Sequence, residues 1–283
     1  MTLAELNRSA TRHLVSSLGE REARAAARLI MEDVLGVSQT NLIVNGDREL
    51  EPETVTRISK MLVRIAYGEP TQYVIGYARF MGLNLRVTQA TLIPRPETEG
   101  LVDLIVKVYK GLSDLRILDI GTGSGCIAIA LARALPFAQI DAYDISVDAL
   151  TVATENAHNL NVKINFRQLD ILEAVPPLHE YDIIVSNPPY IADFERSEME
   201  RRVLDHEPHS ALFVPDNNPL LFYKAIARYA TDALKPQGRL YFEINPLFHK
   251  ELEQELEHLK YTRIQTHLDY IGILRFTSSQ KGQ

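Results

Sequence analysis

Apolar residues early in the chain recur at helical spacing: Leu3, Leu6 and Leu14, then Ala23, Ala26, Leu29, Ile30 and Val34, then Val55, Ile58, Met61, Leu62 and Ile65. Recurrence at three and four residues predicts about four short amphipathic helices. Gly36 reads as a helix stop and Pro52 as a start, because proline fits the first helical turn and glycine fits the left-handed residue after the last. Between Tyr73 and Val87 the pattern changes to two short apolar runs around Ala78–Gly82, which predicts a β-hairpin. From about residue 93 short apolar runs alternate with helical stretches. Strands are expected at 116–120, 139–144, 164–170, 181–187 and 239–245, with closing strands near Arg263–Thr266 and Gly272–Thr277. Helices are expected from about Ser124, through Val147–Leu160, and around Leu220–Leu234 and Leu247–Leu259. Such alternation implies βαβ units. The expected fold is therefore α/β, a doubly wound and mostly parallel sheet. The organisation is a helical domain over 1–72, a hairpin linker over 73–92 and a sheet domain over 93–283.

Composition narrows the class. With 46% hydrophobic residues in 283, the chain can bury a sizeable core, which excludes wholesale disorder. The balance of 30 basic against 37 acidic residues gives −7, so nucleic acid is not expected as a direct partner, since phosphate binding draws on Lys and Arg. Apolar runs such as Ile127–Ala132 are too short to cross a bilayer, and the opening MTLAELNRSATRH has no signal-like stretch; a cytoplasmic protein without membrane attachment is expected. A single cysteine, Cys126, excludes an internal disulfide and a thiolate zinc site, and no metal is expected.

In doubly wound sheets the ligand lies beyond the C-terminal strand ends, so the segments after Asp119, Asp144, Asp170 and Asn187 should converge on one crevice. The first is a strand-to-helix turn carrying Asp119, Gly121, Thr122, Gly123, Ser124 and Gly125. Its glycines let a ligand approach main-chain N–H groups. The third glycine comes one residue too early for the dinucleotide fingerprint, and a carboxylate at this strand end would repel a pyrophosphate while suiting an ammonium or sulfonium group. S-adenosylmethionine carries both. Asp144, 19 residues beyond Gly125, stands where α/β nucleotide sites hold ribose hydroxyls, with a helix cap as the plainer role. Asp170 could accept from an adenine amino group while the N–H of Ile171 meets a ring nitrogen.

The fourth strand ends in Asn187-Pro188-Pro189-Tyr190. Prolines remove N–H donors and fix φ, leaving the carbonyls of Asn187 and Pro188 as free acceptors beside the Asn187 side-chain oxygen. Together they can grip both hydrogens of an NH2 group, and Tyr190 offers a flat face to a planar substrate and a cationic methyl. A nicotinamide-dependent oxidoreductase and a catalytically silent adapter remain alternatives. The glycine spacing argues against the first and the intact acceptor motif against the second.

The Asp119–Gly125 loop, Asp144 and Asn187–Tyr190 resemble the class I S-adenosylmethionine-dependent methyltransferases that modify planar NH2 groups. The segment Leu92-Ile93-Pro94-Arg95-Pro96-Glu97-Thr98-Glu99, preceded by Phe80-Met81-Gly82 and the helical N-terminal domain, narrows the resemblance to the bacterial peptide chain release factor N5-glutamine methyltransferases over nearly the whole chain. It implies S-adenosyl-L-methionine as cofactor, S-adenosyl-L-homocysteine as product, and class I release factors as partners, modified at the glutamine of their Gly-Gly-Gln motif. Asn187, Pro188, Pro189 and Tyr190 would bind substrate and act in catalysis, with Asn187 also facing the cofactor; Glu97, Thr98 and Glu99 would close the pocket near the methionine part, or simply cap a helix. The helical domain would recognise the substrate. A ribosomal-protein glutamine enzyme is the nearest alternative, and a nucleic-acid amino-group enzyme a more distant one. Two stretches depart from the family pattern: Val214-Pro215-Asp216-Asn217-Asn218-Pro219-Leu220, and Glu243-Ile244-Asn245-Pro246-Leu247-Phe248.

Overall fold

The structure, a computed structural model, describes residues 1–282. It divides into two compact units, Met1–Tyr77 with Glu200–His206, and Ala78–Met199 with Glu207–Gln283.

The first unit is helical: α1 (Leu3–Leu18), α2 (Glu20–Leu29), α3 (Gln39–Val44), α4 (Pro52–Ala66) and α5 (Thr71–Ile75). At the start of α1, the Thr2 hydroxyl accepts the Glu5 N–H and the Glu5 carboxylate accepts the Thr2 N–H, so two otherwise unpaired donors are satisfied. Leu3, Leu6 and Leu14 from α1, Ile30, and Ile58 and Ile65 from α4 form its core. Each buried side chain of this size contributes roughly 1.5–3 kcal/mol. The apolar pattern runs on through Val34, yet α2 ends at Leu29 and a single π-turn, Ile30–Val34, leads to Gly36 at φ 65°. Tyr73–Ile75, expected in the hairpin, are helical instead. Pro70 precedes the turn, and Gly76 closes it in the left-handed conformation at φ 95°.

The second unit opens with the hairpin β1 (Tyr77–Phe80) and β2 (Leu83–Arg86), turned by Met81 and Gly82, both at positive φ. The hairpin expected to link the two domains packs into this unit. Phe80 and Leu85 are fully buried in the same core as α6 (Glu99–Tyr109) and α7 (Cys126–Ala134). The remaining strands are β3 (Arg116–Ile120), β4 (Gln139–Asp144), β5 (Asn165–Gln168), β6 (Tyr181–Ser186), β7 (Ile191–Ala192), β8 (Phe213–Val214), β9 (Leu234–Glu243), β10 (Thr262–Leu268) and β11 (Leu274–Gln280).

Seven of them form one sheet in the order β10-β11-β9-β6-β3-β4-β5, parallel except for β11, which runs antiparallel to both neighbours. Alternate residues enter opposite cores. Ile117, Ile183, Val185 and Tyr241 meet α6, α7 and α8 (Val147–Asn159) on one face. Leu118, Ile184, Leu240 and Phe242 meet α10 (Leu221–Ala233) and α11 (His249–His258) on the other. Burial on both faces explains why the central strands read as continuous apolar runs. From β3 the chain turns to β4 on one side and β6 lies on the other, so the strand order reverses at the C-terminal end of β3 and opens a crevice there. The last strand begins later than expected: Gly272, at φ 85°, lies in the turn before it, and β11 starts at Leu274. Between β7 and β8, a helical turn at Asp193–Glu198 and α9 (Arg201–His206) carry no apolar periodicity and were not legible. Glu200–His206, assigned by sequence to the sheet domain, groups with the helical unit, where Arg202 pairs with Glu22. No helix among the described residues is long and apolar enough to cross a membrane.

Candidate active site

The crevice at the strand ends contains a cavity of about 360 Å³ within the second unit. Gly121, Thr122, Gly123 and Ser124 form one wall, Asp144, Asp170 and Ile171 another, and Asn187, Pro188 and Pro189 a third. The sheet thus brings most of the residues singled out by sequence to one place.

The three loop glycines differ in what they do. All have positive φ, but a Cβ on Gly121 or Gly123 would meet nothing within 4 Å, whereas one on Gly125 would lie 3.0 Å from Ile129 and 3.2 Å from Ala153. Gly121 and Gly123 keep a cradle open. Gly125 instead lets α7 pack against α8, and it does not line the cavity.

Asp119 does not line it either. The carboxylate is fully buried beneath the loop, where Oδ2 accepts from the Thr122 hydroxyl at 2.7 Å and the Ala128 N–H at 3.2 Å. Oδ1 is buried with no hydrogen-bond partner. Burial pushes this carboxyl up to about 7, against the lowering effect of those two bonds. Asp144 accepts the Gly123 N–H on Oδ2 at 2.8 Å and the Ser146 N–H on Oδ1 at 2.9 Å, so it holds the glycine loop and the turn into α8, whose cap is the Ser146 hydroxyl. Burial raises its pKa and the N–H donors oppose the rise. Asp170 accepts the Leu172 N–H at 2.9 Å on one oxygen. Cys126 lines the cavity as a neutral thiol, pushed up to about 12 by burial.

At the end of β6, the Ser186 hydroxyl donates to the Ile120 carbonyl at 2.6 Å and so ties β6 to β3. Asn187 Nδ2 donates to Thr98 Oγ1 at 3.4 Å. Tyr190, expected to face the substrate, lies outside the cavity lining; its hydroxyl donates to Glu243 Oε1 at 3.1 Å and its ring packs among the core residues of the α10–α11 face. Thr98 donates to Glu243 Oε2 at 2.7 Å. Of the three residues expected to close the pocket, only Thr98 lines it; Glu99 accepts the Met81 N–H at 2.7 Å and so anchors the β1–β2 turn.

Sequence reasoning missed Glu243, Glu207 and the apolar wall of Phe222 and Ile226. Glu207 is only 4% exposed, accepting from Arg95 Nη2 at 2.7 Å and from the Ile93 N–H at 3.1 Å, which pins two flanks of the cavity together. A charged residue at the end of an apolar strand, as in Tyr241-Phe242-Glu243, was the available signal for the first. The departures from the family pattern are built into the site's support. Asn245 Nδ2 donates to the Tyr190 carbonyl at 3.1 Å and to Glu195 at 2.8 Å, and Asp216 accepts the Phe194 N–H at 2.9 Å.

A glycine cradle after β3, an acidic residue at the end of β4 and an Asn-Pro-Pro-Tyr turn after β6 mark the site of a methyltransferase. Residues 100–209 match the methyltransferase small domain and residues 6–76 the PrmC N-terminal domain. The chain is 43% identical over 261 residues to the release factor glutamine methyltransferase of Bacteroides thetaiotaomicron, covering 92% of this chain and 93% of the relative. It is 41% identical over 262 residues to that of Flavobacterium psychrophilum, covering 92% of each. The fold is also that of a methyltransferase from Pyrococcus furiosus, with a TM-score of 0.54 and 17% identity over 80% of this chain and 100% of the other. The chain belongs to the release factor glutamine methyltransferase family.

Proposed function

We propose that this protein transfers a methyl group from S-adenosylmethionine to the side-chain amide nitrogen of the glutamine in the Gly-Gly-Gln motif of class I release factors. The observation that carries the proposal is Asn187-Pro188 at the end of β6, sharing one cavity with the Gly121–Gly123 cradle and Asp144. The fit to the cofactor rests on that open cradle, on the unpartnered Asp119 Oδ1 beneath it, and on the Asp144 and Asp170 carboxylates, each with acceptor capacity left for ribose or adenine. S-adenosylmethionine would supply a methyl group activated by its sulfonium charge.

An amide nitrogen is a poor nucleophile because its lone pair is delocalised, so orientation carries most of the catalysis. Asn187 Oδ1 and the Pro188 carbonyl accept the two amide hydrogens, aim the nitrogen along the methyl-transfer line and raise its electron density as the bond forms. As the N–CH3 bond forms, the S–CH3 bond would break to leave neutral S-adenosylhomocysteine, and the now acidic N-methyl amide would give its extra proton to water. Release factors incubated with the protein and labelled cofactor are expected to gain one methyl on that glutamine, read by peptide mass spectrometry. A methyl on another residue, or none, would overturn the proposal.

The same reading assigns Asp119 an electrostatic role. Its carboxyl titrates near 7 in the folded protein and near 4 in the unfolded chain. The folded state therefore holds the proton more tightly, and this group's contribution to stability declines as pH rises from about 4 through about 7. Asp119→Asn keeps an oxygen for Thr122 and Ala128 but removes the buried charge. The variant is expected to melt higher than wild type at pH 8, by roughly 2–6 °C, with a smaller gain at pH 5.5. Loss of the negative field should weaken S-adenosylhomocysteine binding by about 1–2 kcal/mol, roughly 5- to 30-fold. Calorimetry and parallel melts at the two pH values check both halves; equal affinity in the variant would leave Asp119 as a purely structural group.

A further inference from the structure

We infer that Thr98 and Glu243 form a positioning relay that fixes which way round the Asn187 side-chain amide is held, with its oxygen toward the substrate. The inference rests on the glutamine-amide reaction proposed above. Glu243 ends β9 and is 1% exposed, and both its oxygens are engaged, Oε2 by the Thr98 hydroxyl at 2.7 Å and Oε1 by the Tyr190 hydroxyl at 3.1 Å. A carboxylate only accepts hydrogen bonds, and a hydroxyl has a single hydrogen to give. Once the Thr98 hydrogen is committed to Glu243, Thr98 Oγ1 can only accept from its remaining neighbour, Asn187, 3.4 Å away. That neighbour must then present its NH2 end to Thr98.

The two ends of an amide are nearly the same size, so shape alone would not choose between them. In the flipped arrangement Asn187 Oδ1 and Thr98 Oγ1 would face each other with no hydrogen between. The substrate amide would also meet an NH2 group, donor against donor. The relay removes both outcomes and turns Asn187 into a pure acceptor beside the Pro188 carbonyl, whose polarity cannot reverse. Its anchor points are themselves held. Arg95, three residues before Thr98, is paired with buried Glu207; Glu99 binds the β1–β2 turn; and Asn245 holds the Tyr190 carbonyl from two residues beyond Glu243.

The test compares Thr98→Val, which keeps the shape and loses the hydroxyl, with Thr98→Ser, which keeps the hydroxyl. Single-turnover methylation of a class I release factor is measured beside S-adenosylhomocysteine affinity. Thr98→Val is expected to methylate about 100-fold more slowly, the size of effect that misplacing a reacting group produces, with cofactor affinity within about threefold of wild type. Thr98→Ser should restore the rate to within about threefold, and Glu243→Gln, whose amide can point either way, should fall between Val and Ser. The relay is overturned if Thr98→Val methylates within about threefold of wild type, if serine fails to rescue it, or if rate and cofactor affinity fall together. Wild type is run alongside. If it binds cofactor but leaves release factors unmodified, the substrate reading fails, and the relay is decided by hydrogen exchange of the Asn187 side-chain amide in labelled protein. One slowed proton in wild type that becomes fast in Thr98→Val supports the relay; identical exchange in the two proteins overturns it.

Discussion

Replacing Asn187 with alanine is expected to slow methyl transfer by roughly 100- to 1,000-fold, the 2.7–4 kcal/mol that loss of one preorganised polar contact at a reacting centre typically removes. Asn187 is only partly buried, and its side chain bonds Thr98 at 3.4 Å without entering either core, so the fold should tolerate the change. The Pro188 carbonyl remains, and the substrate should still dock. The check is single-turnover methylation of a release factor beside a thermal melt of the same sample. A variant that melts normally and methylates within about threefold of wild type, about 0.65 kcal/mol, would show that Asn187 does not orient the amide.

Asp144→Ala is expected to weaken S-adenosylhomocysteine binding by roughly 1.5–3 kcal/mol, or about 10- to 150-fold, through loss of charge-assisted hydrogen bonds. Two effects combine: the acceptors proposed for the ribose are lost, and the Gly123 N–H loses the carboxylate that holds the loop at 2.8 Å. Asp144→Asn separates them, because the amide keeps one oxygen for the loop and surrenders the charge. Titration calorimetry should rank wild type above Asn and Asn above Ala. Unchanged affinity in the alanine variant would take Asp144 out of the binding site.

Much of this was legible in the sequence because it rests on local chemistry. A glycine that must adopt positive φ at a strand end, a proline that cannot donate, and apolar runs buried on both faces announce themselves along the chain. What stayed hidden depends on tertiary partners. Gly121 and Gly125 look alike in sequence, and only the packing of Ile129 and Ala153 separates a residue that opens the cradle from one that closes a helix interface. Tyr190 could as well have faced a ligand as a buried carboxylate, and Glu243, 53 residues away, decides which. Segment 191–214 has no periodicity because its short strands pair with each other and one of its helices packs into the other unit.

Glu207 and Glu243 have a consequence for the order in which the protein is made. Arg95 meets Glu207 across 112 residues of chain, and Thr98 meets Glu243 across 145. Closing loops of that length comes late, since the entropy lost must be met before the contacts give anything back. A chain leaving the ribosome can form the glycine loop and Asp144 early, yet Thr98, on the cavity wall, gains its buried partner only when β9 inserts beside β6 and brings in Glu243. Cofactor retention by nascent chains of increasing length should therefore rise as a step once residue 243 has cleared the exit tunnel, and not in proportion to length. The enzyme that modifies the termination machinery would then acquire its own ligand only after its sheet has closed around β9.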